Sequence, residues 1–168
     1  MTDKYKQKGF TLIELLVYIS TAAIVFMIIM SVVYMMMQSK SKSKAIAEVE
    51  QQGSFAMDII SQTIRNAQGI ESPAPGTSSS SLQLDISEAG DDPTTIDLNS
   101  NAISITEGLG SAIPLTSSSV IASDIYFENL SRDNTPGIIR ISFTLTSTES
   151  GRGSRYYSKN FYTSASLR

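Results

Sequence analysis

The sequence predicts an α+β protein, with a long N-terminal helix, membrane-spanning in its first half and amphipathic in its second, packed on an antiparallel β-sheet. Three observations carry this expectation. An apolar run extends from Leu15 to Met37. From Ala45 to Ala67, apolar residues recur at spacings of three, four or seven, the period of a helix with one buried face. Beyond Gly69 the chain breaks into short alternating segments separated by Gly, Pro, Asn and Asp, the pattern of half-buried strands joined by turns. Residues 1–9 then form a short basic peptide, 10–37 the apolar helix, 38–69 the amphipathic helix and 70–168 a Ser/Thr-rich sheet domain. At 168 residues the chain can hold one membrane helix and one modest domain.

The apolar run comes first. Its length of about 23 residues, at about 1.5 Å per residue, gives about 34 Å of helix against a hydrocarbon core of about 30 Å. Ser20, Thr21 and Ser31 interrupt it, but a hydroxyl can bond the carbonyl one turn earlier and so stay satisfied in lipid. Glu14 is the exception, because an ionised carboxylate is costly in lipid without a partner. Two readings stand: a solvated acid at headgroup level, or an acid that meets a partner. The core is too long for a secretory signal peptide. Lysines do not settle the orientation, since Lys4, Lys6 and Lys8 on one side face Lys40, Lys42 and Lys44 on the other.

The stretch Lys8-Gly9-Phe10-Thr11-Leu12-Ile13-Glu14-Leu15-Leu16-Val17 resembles the class III signal of type IV pilins and type II secretion pseudopilins. It joins a basic leader, a Gly before an aromatic residue, and a Glu just inside an apolar helix. The resemblance implies cleavage after Gly9 by a prepilin peptidase, N-methylation of the new terminal Phe10, and export of everything beyond Met37. It also implies a partner for Glu14, the methylated amine of Phe10 on a staggered neighbouring subunit, with Thr11 as a small polar neighbour of that contact. Loss of residues 1–9 would take the chain from 13 basic and 16 acidic residues to 10 and 15, a net charge of −5.

Next come Gln38 to Lys44, a Ser-Lys repeat that reads as interfacial lysines reaching for the membrane surface. In the amphipathic helix, Ile46, Val49, Gly53, Ala56, Ile60 and Ala67 define the buried stripe, widened by Phe55, Ile59 and Ile64. Gln68-Gly69 supplies the expected stop, with Gly in a left-handed cap. The segment Gln51 to Ala67 is similar to the stalk of minor pilins and class J minor pseudopilins, as are Leu115 to Thr146 and the ending Phe161 to Arg168 to their distal sheet.

Glu71 to Ser81, with Pro73, Pro75, Gly76 and four serines, reads as a linker or surface loop. Leu82/Leu84/Ile86, Ile96/Leu98 and Ile103/Ile105 mark three strands of a meander, with turns at Ala89 to Pro93 and Asn99 to Asn101. Ile113 to Thr116 reads as an edge piece, because Pro114 cannot donate to a central ladder. Ile125 to Phe127, Ile138 to Thr146 and Arg155 to Ser166 complete the sheet, with turns at Arg132 to Gly137 and Ser150 to Gly153.

Composition excludes several chemistries. With no His and no Cys, histidine triads, cysteine nucleophiles, disulfides and His- or Cys-ligated metals are impossible. Gly108-Leu109-Gly110 and Gly151-Arg152-Gly153 lack the strand-to-helix setting of a phosphate loop and read as turns. Asp85, Asp91, Asp92 and Asp97 do not follow the EF-hand spacing and read as solvated acids. Tyr126, Tyr156, Tyr157 and Tyr162 read as sheet aromatics packed on a helix or across strands, or else facing a sugar or surface. The mild acidity offers no footprint for nucleic acid.

The expectation is therefore a non-enzymatic, cofactor-free subunit of a type IV pilus or related filament, with a role in initiation, capping or modification. Its implied partners are a prepilin peptidase, other pilin or pseudopilin subunits and an inner-membrane assembly platform. It would begin as a single-pass plasma-membrane precursor and end in a pilus or pseudopilus at the cell surface or in the periplasm. Two alternatives keep the scaffold: a filament-tip adhesin or DNA-capture subunit, and a membrane-anchored exported domain that does not assemble.

Overall fold

The computed structural model describes residues 10–132, 137–148 and 156–168. The chain divides into two units, one ending at Lys40 and one comprising Ser41–Arg168. Helix α1 (Leu12–Asn66) begins in the first and ends in the second. The basic leader, the turn residues 133–136 and the Gly151-Arg152-Gly153 turn lie outside the described residues.

In the first unit α1 is apolar and exposed all round, and it is long and apolar enough to cross a membrane. Its hydroxyls bond backward as expected, Ser20 Oγ donating to the Leu16 carbonyl at 2.8 Å and Thr21 Oγ1 to that of Val17 at 3.0 Å.

In the second unit one face of α1 is buried, through Ala45, Val49, Gly53, Ala56, Met57, Ile60 and Ile64. The expected stripe is right in direction and too wide. Ile46 and Ile59 are half-buried, and Phe55 is 52% exposed. At about 100° per residue, Phe55 lies about 120° round the helix from Val49, beyond the edge of a face centred on Val49 and Ile60.

The helix ends without the expected glycine cap. The Ala67 amide turns back to the Ile64 carbonyl at 3.3 Å, the Gln68 amide donates to Asp85 O at 2.8 Å, and Gly69 opens strand β1 (Gly69–Ser72). Strand pairing thus replaces the left-handed turn. The left-handed glycines among the described residues are Gly76 and Gly108.

The remaining strands are β2 (Ser78–Ser79), β3 (Leu82–Asp85), β4 (Thr94–Asn99), β5 (Ala102–Glu107), β6 (Ile113–Pro114), β7 (Val120–Asn129), β8 (Ile138–Ser147) and β9 (Ser158–Ser166). They form two antiparallel sheets where one was expected, in the orders β1-β3-β4-β5-β6 and β2-β7-β8-β9. Pro114 helps to close the first sheet, since β6 has only two residues and one of them lacks an N–H. The edge of β7 is taken instead by Ser78-Ser79, so the supposed linker belongs to a sheet. The meander's three strands and their order are as expected, but β3 stops at Asp85, one residue short of Ile86, and Leu98 of β4 is exposed. The β4–β5 hairpin turns through Ser100 and Asn101, both at positive φ (51° and 65°), the backbone that suits right-twisted strands.

One core serves α1 and both sheets. Val49, Ile60 and Ile64 from the helix, Leu82, Leu84, Ile96 and Ile103 from one sheet, and Phe127, Ile139, Ile141, Phe143 and Leu145 from the other are all fully buried in it. Each such side chain contributes about 1.5–3 kcal/mol of burial free energy. The Phe161 ring on β9 lies over Gly53 and stacks on Phe143, ring centroids 5.5 Å apart. A Cβ at position 53 would fall inside that ring's van der Waals envelope, so the helix needs a glycine there.

Strand β7 carries a bulge. Val120 and Ala122 point inward, then the register shifts between Ser123 and Tyr126, with Asp124 at φ 51°, and Ile125, Phe127 and Asn129 point inward instead. The extra residue swaps the phase of alternation in mid-strand.

Candidate functional site

Thr11 is the N-cap of α1. Its carbonyl accepts the Glu14 and Leu15 amides, each at 3.1 Å, and its Oγ1 accepts the Glu14 amide at 3.3 Å. The sequence Thr-Leu-Ile-Glu has the capping-box spacing, and it places a carboxylate in the first turn, where the helix dipole favours negative charge. Thr11 and Glu14 are therefore joined within one chain, and the cap gives Thr11 a local role that sequence reasoning missed. Phe10 stands outside the helix, 74% exposed, its ring edge-on to Tyr18 with centroids 6.1 Å apart. Gly9 lies outside the described residues.

Three polar contacts in the second unit were not foreseen. Lys159 Nζ donates to both carboxylate oxygens of Glu50, at 2.7 and 2.5 Å, and Tyr157 OH donates to the same carboxylate at 3.2 Å. The hydrogen bond from Lys159 holds the Glu50 carboxyl below its usual range, against desolvation that raises it, and the bond from Tyr157 adds to the lowering. The same hydrogen bond holds Lys159 above its usual range. Gln52 reaches Ser117 twice, its Oε1 accepting the Ser117 amide at 2.7 Å and its Nε2 donating to Ser117 Oγ at 2.6 Å. Asn129, buried in β7, donates from Nδ2 to the Pro73 carbonyl at 2.7 Å while its own amide donates to Thr77 O at 2.9 Å. Glu50 and Gln52 had the single legible signal of being polar residues beside the buried stripe.

Among the described residues the candidate ligand acids do not gather into a metal-binding group. Asp91 and Asp92 lie in the turn before β4, where the Asp91 carbonyl accepts Thr94 Oγ1 at 2.7 Å and Asp92 Oδ1 accepts the Ile86 amide at 3.3 Å. Asp97 stands apart. It lines a cleft of about 490 Å³ with Ser80, Ser81, Leu98, Asp124 and Tyr126, and its Oδ1 is buried with no hydrogen-bond partner. Gly108-Leu109-Gly110 is a turn, with Gly108 at φ 53° packed against the Gly90 carbonyl.

Tyr157 packs against the core beside the helix as expected, while the other three tyrosines depart from the packed-aromatic expectation. Tyr126 and Tyr162 are 55% and 81% exposed on the outer face of the β7–β8–β9 sheet, and Tyr156 is also exposed.

These features define an α+β protein with one long N-terminal helix whose first part can span a membrane and whose second part packs on antiparallel sheets. No protein-family model, curated protein or solved structure matches the chain.

Proposed function

We propose that the chain is a minor subunit of a type IV pilus or related filament, matured by a prepilin peptidase and assembled through its N-terminal helix. The observation that carries this reading is Glu14, the single charged side chain between Phe10 and Met37, at the start of a helix otherwise able to sit in lipid. In this reading cleavage after Gly9 leaves Phe10 with a methylated amine directly before the Thr11 cap. A neighbouring helix, shifted by one axial step, brings that amine to Glu14. A carboxylate costly in lipid is then neutralised only when a second subunit is present, which favours ordered addition at an assembly platform over random clustering. The sheet domain faces outward and mediates contacts of the finished filament.

The test is the intact mass and N-terminal sequence after co-expression with an active prepilin peptidase. The expected product begins at methylated Phe10 and is lost in Gly9→Ala. An uncut Met1 terminus would remove the reading.

A second reading is favoured by the cap itself. Thr11 and the helix dipole give Glu14 a stabilising local role without any neighbour, as in a membrane-anchored domain that does not assemble. Unchanged membrane localisation of Glu14→Ala, with no specific subunit crosslinks in either wild type or variant, would favour it.

A further inference from the structure

On the outer face of the second sheet, strand register lines up three residues. Tyr126 of β7 is opposite Ser142 of β8, and Ser142 is opposite Tyr162 of β9. Directly opposed residues share a face, so two exposed tyrosines flank one small hydroxyl. Their backbones stand two strand spacings apart, about 10 Å. The bulge at Asp124 creates this arrangement: without its phase change, residue 126 would point inward as Ala122 does.

The neighbouring rows are polar and neutral. One holds Ser123, Thr144 and Asn160; the other holds Glu128, Arg140 and Ser164, where Arg140 Nη1 bonds Glu128 Oε2 at 2.7 Å and cancels its charge. At its β7 end the tyrosine row meets the cleft that Tyr126 lines together with Asp97 and Asp124. The cleft offers acceptors in the carboxylates of Asp97 and Asp124, which both line it.

We infer that this face binds a neutral β1,4-linked polysaccharide, stacked on Tyr162 and Tyr126 and ending in the cleft, where Asp97 and Asp124 accept hydrogen bonds from sugar hydroxyls. Such a chain presents the same ring face at every second sugar, a repeat close to the separation of the two tyrosines. Flat aromatic faces hold the apolar faces of the sugars. The two carboxylates disfavour an anionic ligand such as a nucleic acid or an acidic glycan. The site does not depend on the filament reading, since all its residues lie within Ser41–Arg168.

The experiment titrates the full chain in lipid nanodiscs with cellohexaose, chitohexaose and maltohexaose, following tyrosine fluorescence, which no tryptophan masks, and binding heat. At least one β1,4-linked hexamer is expected to bind, and the α1,4-linked one is expected to bind much more weakly. Tyr126→Ala and Tyr162→Ala each lower the affinity about tenfold, the loss of a stacking contact, with unchanged far-ultraviolet circular dichroism. Asp97→Ala weakens binding, while Tyr34→Ala, in the apolar helix, leaves it unchanged. Three results would overturn the inference: no response to either β1,4-linked hexamer at millimolar concentration, equal binding of the α1,4-linked chain, or binding undiminished in the double tyrosine variant. An Asp97-dependent response to calcium alone, without any glycan response, would also overturn it and make the cleft a cation site.

Discussion

Lys159 on β9 straddles the carboxylate of Glu50 on α1, one ammonium bonded to both oxygens across 109 positions of sequence. The same ammonium lies 5.0 Å from the centroid of the Phe161 ring that covers Gly53. Charge, aromatic ring and missing Cβ thus converge where the final strand meets the helix.

This pair sets a pH dependence. Glu50 is lowered in the folded state, so its contribution is complete above the usual carboxylate range and is lost as pH falls through and below that range. Lys159 is raised, so its contribution is complete below the usual lysine value and is lost as pH rises past it. Each side chain keeps 39% of its surface exposed, and salt screens the pair. Glu50→Gln is expected to lower the unfolding midpoint at neutral pH and to converge with wild type in strong acid. Thermal unfolding of both proteins across pH, at low and high salt, checks this.

Gly53→Ala is expected to destabilise the domain. On an open helix the change would be favourable by about 1 kcal/mol. Here the new methyl must displace Phe161 from its stack on Phe143, a steric cost of about 1–3 kcal/mol that offsets or exceeds the gain. Gly53→Ala combined with Phe161→Leu should recover part of the loss in urea unfolding, because the smaller side chain leaves room for the methyl.

Asn129→Ala should loosen the Pro73–Ser81 segment. The substitution leaves the Pro73 carbonyl without its donor and the Ser131 amide without its acceptor at 3.0 Å, a loss of about 1–3 kcal/mol. Faster proteolytic cleavage within residues 73–81 is the readout, and a cleavage rate equal to wild type would refute the assigned role.

Thr11→Ala removes the cap and is expected to cost the first turn of α1 about 0.5–2 kcal/mol, read as faster hydrogen exchange at the Glu14 amide. Glu14→Leu should insert into membranes at least as well as wild type, but on the filament reading it should lose subunit crosslinks. Comparing the two variants separates the acid's local role from its proposed intermolecular one.

Much of this architecture was legible because period and polarity agreed. Leu82, Leu84, Ile96, Ile103 and Ile105 alternate cleanly, and all are buried. The Ala45–Ala67 stripe faces the core because its apolar residues return every turn. Other features had no local signature. Ser78-Ser79 carries no apolar pattern, so its pairing with β7, and hence the separation into two sheets, depends on backbone edges that composition does not encode. The bulge at Asp124 moves Tyr126 outward by adding one residue, a change visible only against a partner strand. Thr11 was legible as a cap from its spacing to Glu14, but the apolar run after it drew attention to lipid instead of to the helix end.

The Phe161 ring on Gly53 also orders events in time. The groove on α1 is made early in synthesis, whereas its filling lies in the ninth strand, so the helix waits with an open apolar face while more than half of the chain emerges. Closing a loop of that span is slow relative to local helix formation. A molecule that lost β9 would keep α1 and its meander but would lack the ring that fills this groove. Exposure of the Gly53 groove is therefore the structural mark of a chain whose last strand has not yet docked.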